Sequence, residues 1–212
     1  MNEKETYDSR LKSMGHRHYV GGEDVESWYK IGRMQYHYLV SEGLKSDHIF
    51  LDVACGSLRL GQYLIPMLDN GNYYGIDGNP DLIQLGVENE LDFDIAEGKD
   101  PKFESNYGFD FSFSPQFDFA IAQSLFTHLT LKDIELCFEN ISIKMHKNSR
   151  FYFTFFEGSP VNNPTVDSDP HQGWFYSSEE LSKLASKHDL DLHYIGDWNH
   201  PRNQKIAYTT IR

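Results

Sequence analysis

Two carboxylates and the turn of small residues after the first of them have the types and spacing to do chemistry. Asp52 closes one apolar run, Asp77 closes the next, and the small residues 54–57 follow the first carboxylate directly. Parallel strands end at one edge of a sheet, so such residues meet there, and small side chains let a ligand approach the backbone. The pattern predicts a nucleotide-like ligand, with Gly56 against it and Asp77 accepting hydrogen bonds from ribose hydroxyls.

Three kinds of nucleotide site place a small-residue turn after a first strand. A phosphate-binding loop needs Lys-Ser/Thr after its second glycine, but Gly61 is followed by Gln62 and Tyr63. A dinucleotide site needs Gly-x-Gly-x-x-Gly, and this turn has a single glycine before Ser57 and Leu58. S-adenosylmethionine has no pyrophosphate and requires less glycine, so the turn favours that ligand.

The elements that must position these residues alternate along the chain. Apolar runs predict strands at 49–53, 73–77, 109–111, 117–123, 150–156, 190–196 and 205–211. Helices are predicted at 58–68, from the Asn79 cap, from Thr130 to about 146, and from Ser177. This alternation is typical of a parallel sheet covered by helices on both faces, and the last two strands, with no helix between them, predict an antiparallel hairpin.

Four ordered segments, LDVACG, YYGID, FDFAIAQSLFTHL and RFYFTFF, resemble the motifs of class I SAM-dependent methyltransferases over about residues 49–211. The sequence is most similar to a bacterial group of small methyltransferases of mostly unassigned substrate. That group shares runs like YVGG…W…IG…Q and GDWNHPR.Q, present here at 19–35 and 196–204. The resemblance implies a Rossmann-like α/β fold, a single domain over 1–212 with the seven-stranded order 3-2-1-4-5-7-6, and S-adenosylmethionine as cofactor.

The first motif departs from the family's usual Asp-x-Gly-x-Gly-x-Gly. Its three glycine positions hold Ala54, Gly56 and Leu58. Alanine is a mild change, whereas leucine leaves less room beside the cofactor unless it already begins the helix. Residues 1–48 are predicted to be mostly helical with a break at Gly21-Gly22, and to form a lid; within them, 16–19 either close over the ligand or form a solvated arm.

Cofactor contacts are predicted at the ends of the first four strands. Asp110, at the expected end of the third, is predicted to contact the adenine amino group, with Phe111 against the ring. Gln123 ends the fourth, where the family places a cofactor contact. Asp52 either positions the turn or reaches the methionine ammonium through water, and Cys55, with no basic residue nearby in sequence, is expected to supply only a backbone contact. The predicted cofactor-binding residues are Asp52, Ala54, Cys55, Gly56, Ser57, Asp77, Gly78, Asp110, Phe111 and Gln123.

Two histidines and an arginine are the candidate catalytic residues. His128 lies one helical turn beyond the fourth predicted strand, where it could act as a general base or could only cap and pack. His200 and Arg202 lie in the loop DWNHPRNQ, which follows a strand that should end at the ligand edge, so they could deprotonate or bind a polar acceptor. The alternative is a rigid turn built on Pro201.

Composition limits the possible functions. The 212 residues suffice for one sizeable core, no apolar stretch is long enough to span a bilayer, and two cysteines cannot form a four-thiolate zinc site. The polar N-terminus predicts a cytoplasmic protein, and no metal is predicted. A net charge of −13 repels phosphate backbones, which disfavours nucleic acid as a partner.

The prediction is therefore a methyltransferase for a small polar acceptor, with O-methylation of a sugar or nucleotide-linked sugar suggested by analogy with family members. Three alternatives stay open. They are methylation of another small metabolite at oxygen or nitrogen, a SAM-binding protein that has lost catalysis, and a nicotinamide-dependent oxidoreductase.

Overall fold

A computed structural model of the chain describes residues 3–22, 24–159, 163, 167–169 and 172–212. Within these residues the strands are β1 Phe50–Val53, β2 Tyr73–Ile76, β3 Lys102–Glu104, β4 Phe117–Ala122, β5 Met145–Glu157, β6 Phe175–Tyr176, β7 Leu190–Asp197 and β8 Lys205–Ile211. The helices are α1 Glu3–Met14, α2 His16–Tyr19, α3 Val25–Ser41, α4 Gly61–Met67, α5 Pro80–Glu90, α6 Phe93–Lys99, α7 Leu131–Ser142 and α8 Ser178–Ser186.

The sheet has the predicted topology. Its order is β3-β2-β1-β4-β5-β8-β7, which is the predicted order once the two-residue β6, paired in parallel with the end of β5, is set aside. β8 runs antiparallel to both of its neighbours, and the other pairings are parallel. The carboxyl ends of β1, β2 and β4 therefore meet at one edge, as the placement of the two aspartates requires.

Alternating side chains divide the core between the two faces of the sheet. Along β5, Phe151 and Phe153 pack on one face with α7 and α8, whereas Tyr152 points to the other face, toward α3 and α4. This period of two is the geometry of a strand buried on both sides. The predicted two-sided cover of helices is confirmed.

The predicted helix starts are confirmed by their caps. The Asn79 side chain accepts the N–H of Asp81, with Pro80 at the first helical position. Thr130 caps α7, and Ser177 with Glu180 forms a reciprocal capping box at α8. These signals are read correctly from sequence because donor and acceptor lie within three residues of each other.

The third strand is not where the sequence predicted it. Residues 109–111 lie in a loop, and β3 is Lys102–Glu104, which pairs with β2 from Tyr74 to Ile76. The aromatic run at 109–111 is apolar because Phe111 is buried in the core beneath the loop. The true strand is short and polar on both sides of Phe103, as suits an edge strand. No helix within the described residues is both long and apolar enough to cross a membrane.

Candidate functional site

The turn after β1 keeps a left-handed backbone at all three positions where glycine was expected. The φ angles of Ala54, Gly56 and Leu58 are 61°, 54° and 63°. An L-residue in this region costs roughly 1–2 kcal/mol, so Ala54 and Leu58 carry strain that glycine would not. The Leu58 side chain is completely buried in the core beside α4, and the helix begins at Gly61 rather than at Leu58 as predicted.

Two helices hold this turn by close backbone approach. A Cβ on Gly86 of α5 would lie 2.7 Å from the carbonyl carbon of Ser57, and a Cβ on Gly32 of α3 would lie 2.5 Å from the Arg59 oxygen. Side chains of any size at either position would push the helix off the turn. The path of the turn is therefore fixed by α3 and α5 as well as by its own sequence.

Asp77 connects the end of β2 to the turn. Its Oδ2 accepts the N–H of Gly56 and its Oδ1 accepts the N–H of Asn79, both at 2.9 Å. Burial raises the pKa of this carboxyl, while the two N–H groups oppose that shift. The structure thus brings together the two residues on which the sequence prediction most depended, Gly56 and Asp77.

Asp52 lies beneath the turn, 3% exposed, and its Oδ2 accepts the Tyr73 hydroxyl at 2.7 Å. Burial raises the pKa of Asp52 to about 7, with a smaller contribution from the charge of Asp77. Burial followed by the two carboxylates also raises the pKa of the Cys55 thiol well above its ordinary value. The thiol is therefore protonated, and the Ser57 hydroxyl faces the backbone oxygen of His16 at 3.5 Å.

The prediction for the adenine side needs correction because it relied on the misplaced third strand. Asp110 lies exposed in the loop after β3, where its side chain accepts the N–H of Ser112, and Phe111 is buried in the core. Tyr107, which lies three residues after β3, is the aromatic residue at this edge. It is 77% exposed, and its ring lies against Gly78. A Cβ on Gly78 would lie 2.2 Å from that ring. Sequence reasoning missed Tyr107, and the only signal was an aromatic residue soon after a short polar strand.

Gln123 belongs to a polar network at the ends of β4 and β5. Its Nε2 lies 3.0 Å from Gln204 Oε1, which also accepts the hydroxyls of Ser124 at 3.0 Å and Thr154 at 2.8 Å. Gln123 Nε2 lies 3.3 Å from His200 Nε2. The network ties the hairpin loop between β7 and β8 to the end of β4, which places His200 beside the predicted ligand edge.

His200 is held in a single arrangement. It is 5% exposed, stacks on Trp198 with ring centroids 5.4 Å apart, and its Nδ1 accepts the N–H of Arg202 at 3.3 Å. Its Nε2 faces the amide nitrogen of Gln123, so both ring nitrogens lie against N–H groups of the protein. Burial, then the charges of Arg202 and Arg59, lower the pKa of His200 to about 4, so the ring is neutral near pH 7.

The tautomer of His128 follows from one hydrogen bond. Its Nδ1 lies 2.5 Å from the backbone oxygen of Gln172, which can only accept, so the proton is on Nδ1 and the basic lone pair is on Nε2. The backbone around it is joined to the chain before β6, because Trp174 N–H donates to the Thr127 oxygen at 2.7 Å. Among the described residues, no three His, Cys, Asp or Glu side chains are grouped as a metal site.

The segment between α1 and α3 lies across the turn. Arg17 pairs with Glu90 of α5 at 2.6 Å, Arg59 donates to the Val20 oxygen, and Arg202 donates to the Gly21 oxygen. A Cβ on Gly56 would lie 3.4 Å from Val20. Residues 16–22 therefore contact the turn after β1, α5 and the hairpin loop at once.

Comparison with protein-family models and with curated proteins gives no match for this chain. Solved structures do match along its whole length. The magnesium protoporphyrin IX methyltransferase of Synechocystis PCC 6803 with bound SAH has a TM-score of 0.69 at 13% identity, covering 99% of this chain and 100% of that one. A SAM-dependent methyltransferase from Clostridium acetobutylicum ATCC 824 has a TM-score of 0.66 at 12% identity, covering 99% of each chain.

This chain has the class I methyltransferase fold. A TehB-like SAM-dependent methyltransferase from Corynebacterium glutamicum ATCC 13032 Kitasato agrees, with a TM-score of 0.63 at 17% identity over 98% of this chain and 97% of that one. The fold class predicted from the four motifs is confirmed. In a methyltransferase fold the ligand edge lies outside the carboxyl ends of the strands, which here carry the turn, Asp77 and Gln123.

Proposed function

We propose that this protein is a SAM-dependent methyltransferase acting on a small polar acceptor. The observation that carries the proposal is the turn after β1, whose backbone is left-handed at Ala54, Gly56 and Leu58 and whose Gly56 N–H is held by Asp77. The substituted glycines were the reason to consider a protein that has lost its cofactor chemistry. Because the backbone path survives those substitutions, they give no support to that alternative.

The residues present fit S-adenosylmethionine. A carboxylate has about four acceptor positions, and the two backbone N–H groups on Asp77 use one on each oxygen. The remaining positions can accept the two ribose hydroxyls, and Tyr107 against Gly78 provides an aromatic face for the adenine. When bound, the cofactor supplies an electrophilic methyl group and a neutral thioether leaving group.

The chain's own contribution is to orient the acceptor, exclude water and take a proton from a hydroxyl acceptor. We assign removal of this proton to His128. Its Nδ1–H is held by the Gln172 oxygen, so the basic lone pair is on Nε2. His200, whose two ring nitrogens face the Arg202 N–H and the Gln123 amide nitrogen, is assigned a positioning role. O-methylation of a sugar or nucleotide-linked sugar is the reaction that needs such a base, whereas an amine acceptor needs it less.

Titration calorimetry with S-adenosylmethionine, S-adenosylhomocysteine and NAD tests the cofactor directly. We expect the two sulfur compounds to bind and NAD not to. Absence of binding by either sulfur compound at millimolar concentration contradicts the proposal, and binding of NAD alone favours an oxidoreductase.

Transfer of a labelled methyl group to a panel of free and nucleotide-linked sugars tests the acceptor. With any acceptor found, His128→Gln should lower turnover roughly 10²–10⁴-fold at unchanged cofactor affinity, the contribution typical of a general base. The matched variant His200→Gln should lower it less. A larger loss of turnover in His200→Gln than in His128→Gln would assign the proton transfer to His200.

A further inference from the structure

Arg59 is a buried cation that has no acidic partner within the part of the chain that the structure describes. It follows residues 54–58, which form the proposed cofactor turn, and it is 9% exposed. Its guanidinium carbon lies 4.9 Å from the centroid of the Trp28 ring. One terminal nitrogen donates to the Val20 oxygen, and its Nε has no hydrogen-bond partner among the described residues. No carboxylate among them lies within ion-pair distance of its guanidinium either, although the chain carries 32 Asp and Glu.

A second guanidinium approaches the same place from the hairpin loop. Arg202 donates to the Gly21 oxygen, and its Nη1 lies 2.6 Å from where a Cβ on Gly21 would stand. Burial, with the charge of Arg202, lowers the pKa of Arg59 to about 10. Both side chains therefore sit under Val20 and Gly21, between the cofactor turn and the loop that carries His200.

A buried charge of this kind is stabilised by an anion. Removing a guanidinium from water costs several kcal/mol unless it is paired, and buried charges in proteins are normally paired. The planar fork of arginine matches the oxygens of a carboxylate or a phosphate. The cofactor does not balance the charge, because its sulfonium and ammonium outweigh its one carboxylate and leave it a net cation.

Resting on the proposed function, we propose that the methyl acceptor carries a phosphate or carboxylate group and that Arg59 binds that group. The site lies where the acceptor side of the sheet meets the cofactor turn. An anionic acceptor placed here would face the cationic sulfonium with opposite charge. Among the acceptors considered above, this favours a nucleotide-linked sugar over a neutral sugar.

Calorimetry on protein saturated with S-adenosylhomocysteine, using inorganic phosphate and acetate as probes, tests the site. We expect phosphate or acetate to bind, and whichever binds identifies the anionic group. Arg59→Gln should weaken that binding by about tenfold or more, the loss typical of a charged hydrogen-bond pair, with little change in affinity for S-adenosylhomocysteine. Arg33→Gln, which removes the same charge from the exposed face of α3, should bind like the wild type.

Two results overturn the proposal. One is that neither probe binds the wild type in a way that depends on Arg59. The other is that Arg59→Gln weakens binding of S-adenosylhomocysteine but not of 5′-methylthioadenosine, which lacks the amino-acid group, because Arg59 would then bind the cofactor's carboxylate.

Two controls distinguish a variant that fails to fold, and a protein that fails to bind the cofactor, from a missing anion site. If Arg59→Gln fails to fold, Arg59→Lys keeps the charge without the fork and should weaken probe binding several-fold. If the wild type binds no S-adenosylhomocysteine, the proposed function fails, and probe binding by the protein alone still decides for or against the anion site.

Discussion

Replacing Asp77 tests the cofactor site at its most constrained point. Each carboxylate oxygen accepts one backbone N–H at 2.9 Å, from Gly56 in the turn and from Asn79 at the start of α5. Asp77→Asn keeps the shape but exchanges one acceptor oxygen for an NH₂ group, which cannot accept. Asp77→Ala removes both acceptors and leaves two N–H groups to be satisfied by water or left unpaired.

The magnitude follows from the number of hydrogen bonds. Two ribose hydroxyls on a charged acceptor are worth about 2–4 kcal/mol together, so Asp77→Ala should weaken binding of S-adenosylhomocysteine roughly 30- to 700-fold. Asp77→Asn should lose part of that affinity. The free energy of unfolding should fall as well, by about 1–3 kcal/mol for each N–H group that stays buried without an acceptor.

Calorimetry measures the affinity, and urea denaturation measures how much of each variant is folded. Asp81→Ala is the matched control, since it removes the same charge from an exposed position in the first turn of α5. A folded Asp77→Ala protein with wild-type affinity would refute the reasoning and place the ribose elsewhere. Equal losses in both variants would show that net charge, and not contact, sets the affinity.

Three further predictions concern the turn and its supports. Burial raises the pKa of Asp52 from 3.8 to about 7, so between those pH values the folded state holds a proton that the unfolded state releases. The free energy of unfolding of the wild type should therefore fall relative to that of Asp52→Asn as pH rises from about 4 to about 7. Urea denaturation at several pH values measures both, and a difference between them that does not change with pH contradicts this prediction. Ala54→Gly should leave the free energy of unfolding unchanged or raise it by up to about 1 kcal/mol, because it relieves the strained backbone. Leu58→Gly relieves the same backbone angle but removes a buried side chain, so it should lose about 2–4 kcal/mol in urea denaturation. Gly86→Ala should destabilise the protein and weaken cofactor binding, while Gly98→Ala, with nothing within 4 Å of the new Cβ, should raise the melting temperature slightly; equal effects would rule out the close approach of α5.

Most of the fold was predictable because its signals are local. The caps at Asn79, Thr130 and Ser177 act within three residues, and β1, β2 and β4 are short apolar runs with clear ends. The fold class followed from the order of these runs and their motifs. The edge strand β3 was not predictable, because three residues with a single inward side chain, Phe103, leave almost no pattern.

The proposed cofactor turn was predictable in part. The sequence by itself determined that a small-residue turn and a second carboxylate would meet at one sheet edge, since parallel strands bring their carboxyl ends together. It did not determine that Ala54 and Leu58 would keep the left-handed backbone. That path is held by α3 and α5, which reach the turn at Gly32 and Gly86.

The tertiary structure alone decided which polar groups lie beside that turn. Tyr107 reaches Gly78 only because β3 ends where it does, and Arg59 and Arg202 meet only because residues 16–22 cross between the turn and the hairpin loop. The tautomer of His128 is set by Gln172, and the Nε2 of His200 faces Gln123, partners that the chain supplies from other loops or strand ends. Sequence patterns report the neighbours of a residue along the chain, whereas charge, tautomer and burial depend on neighbours in space, which packing brings together.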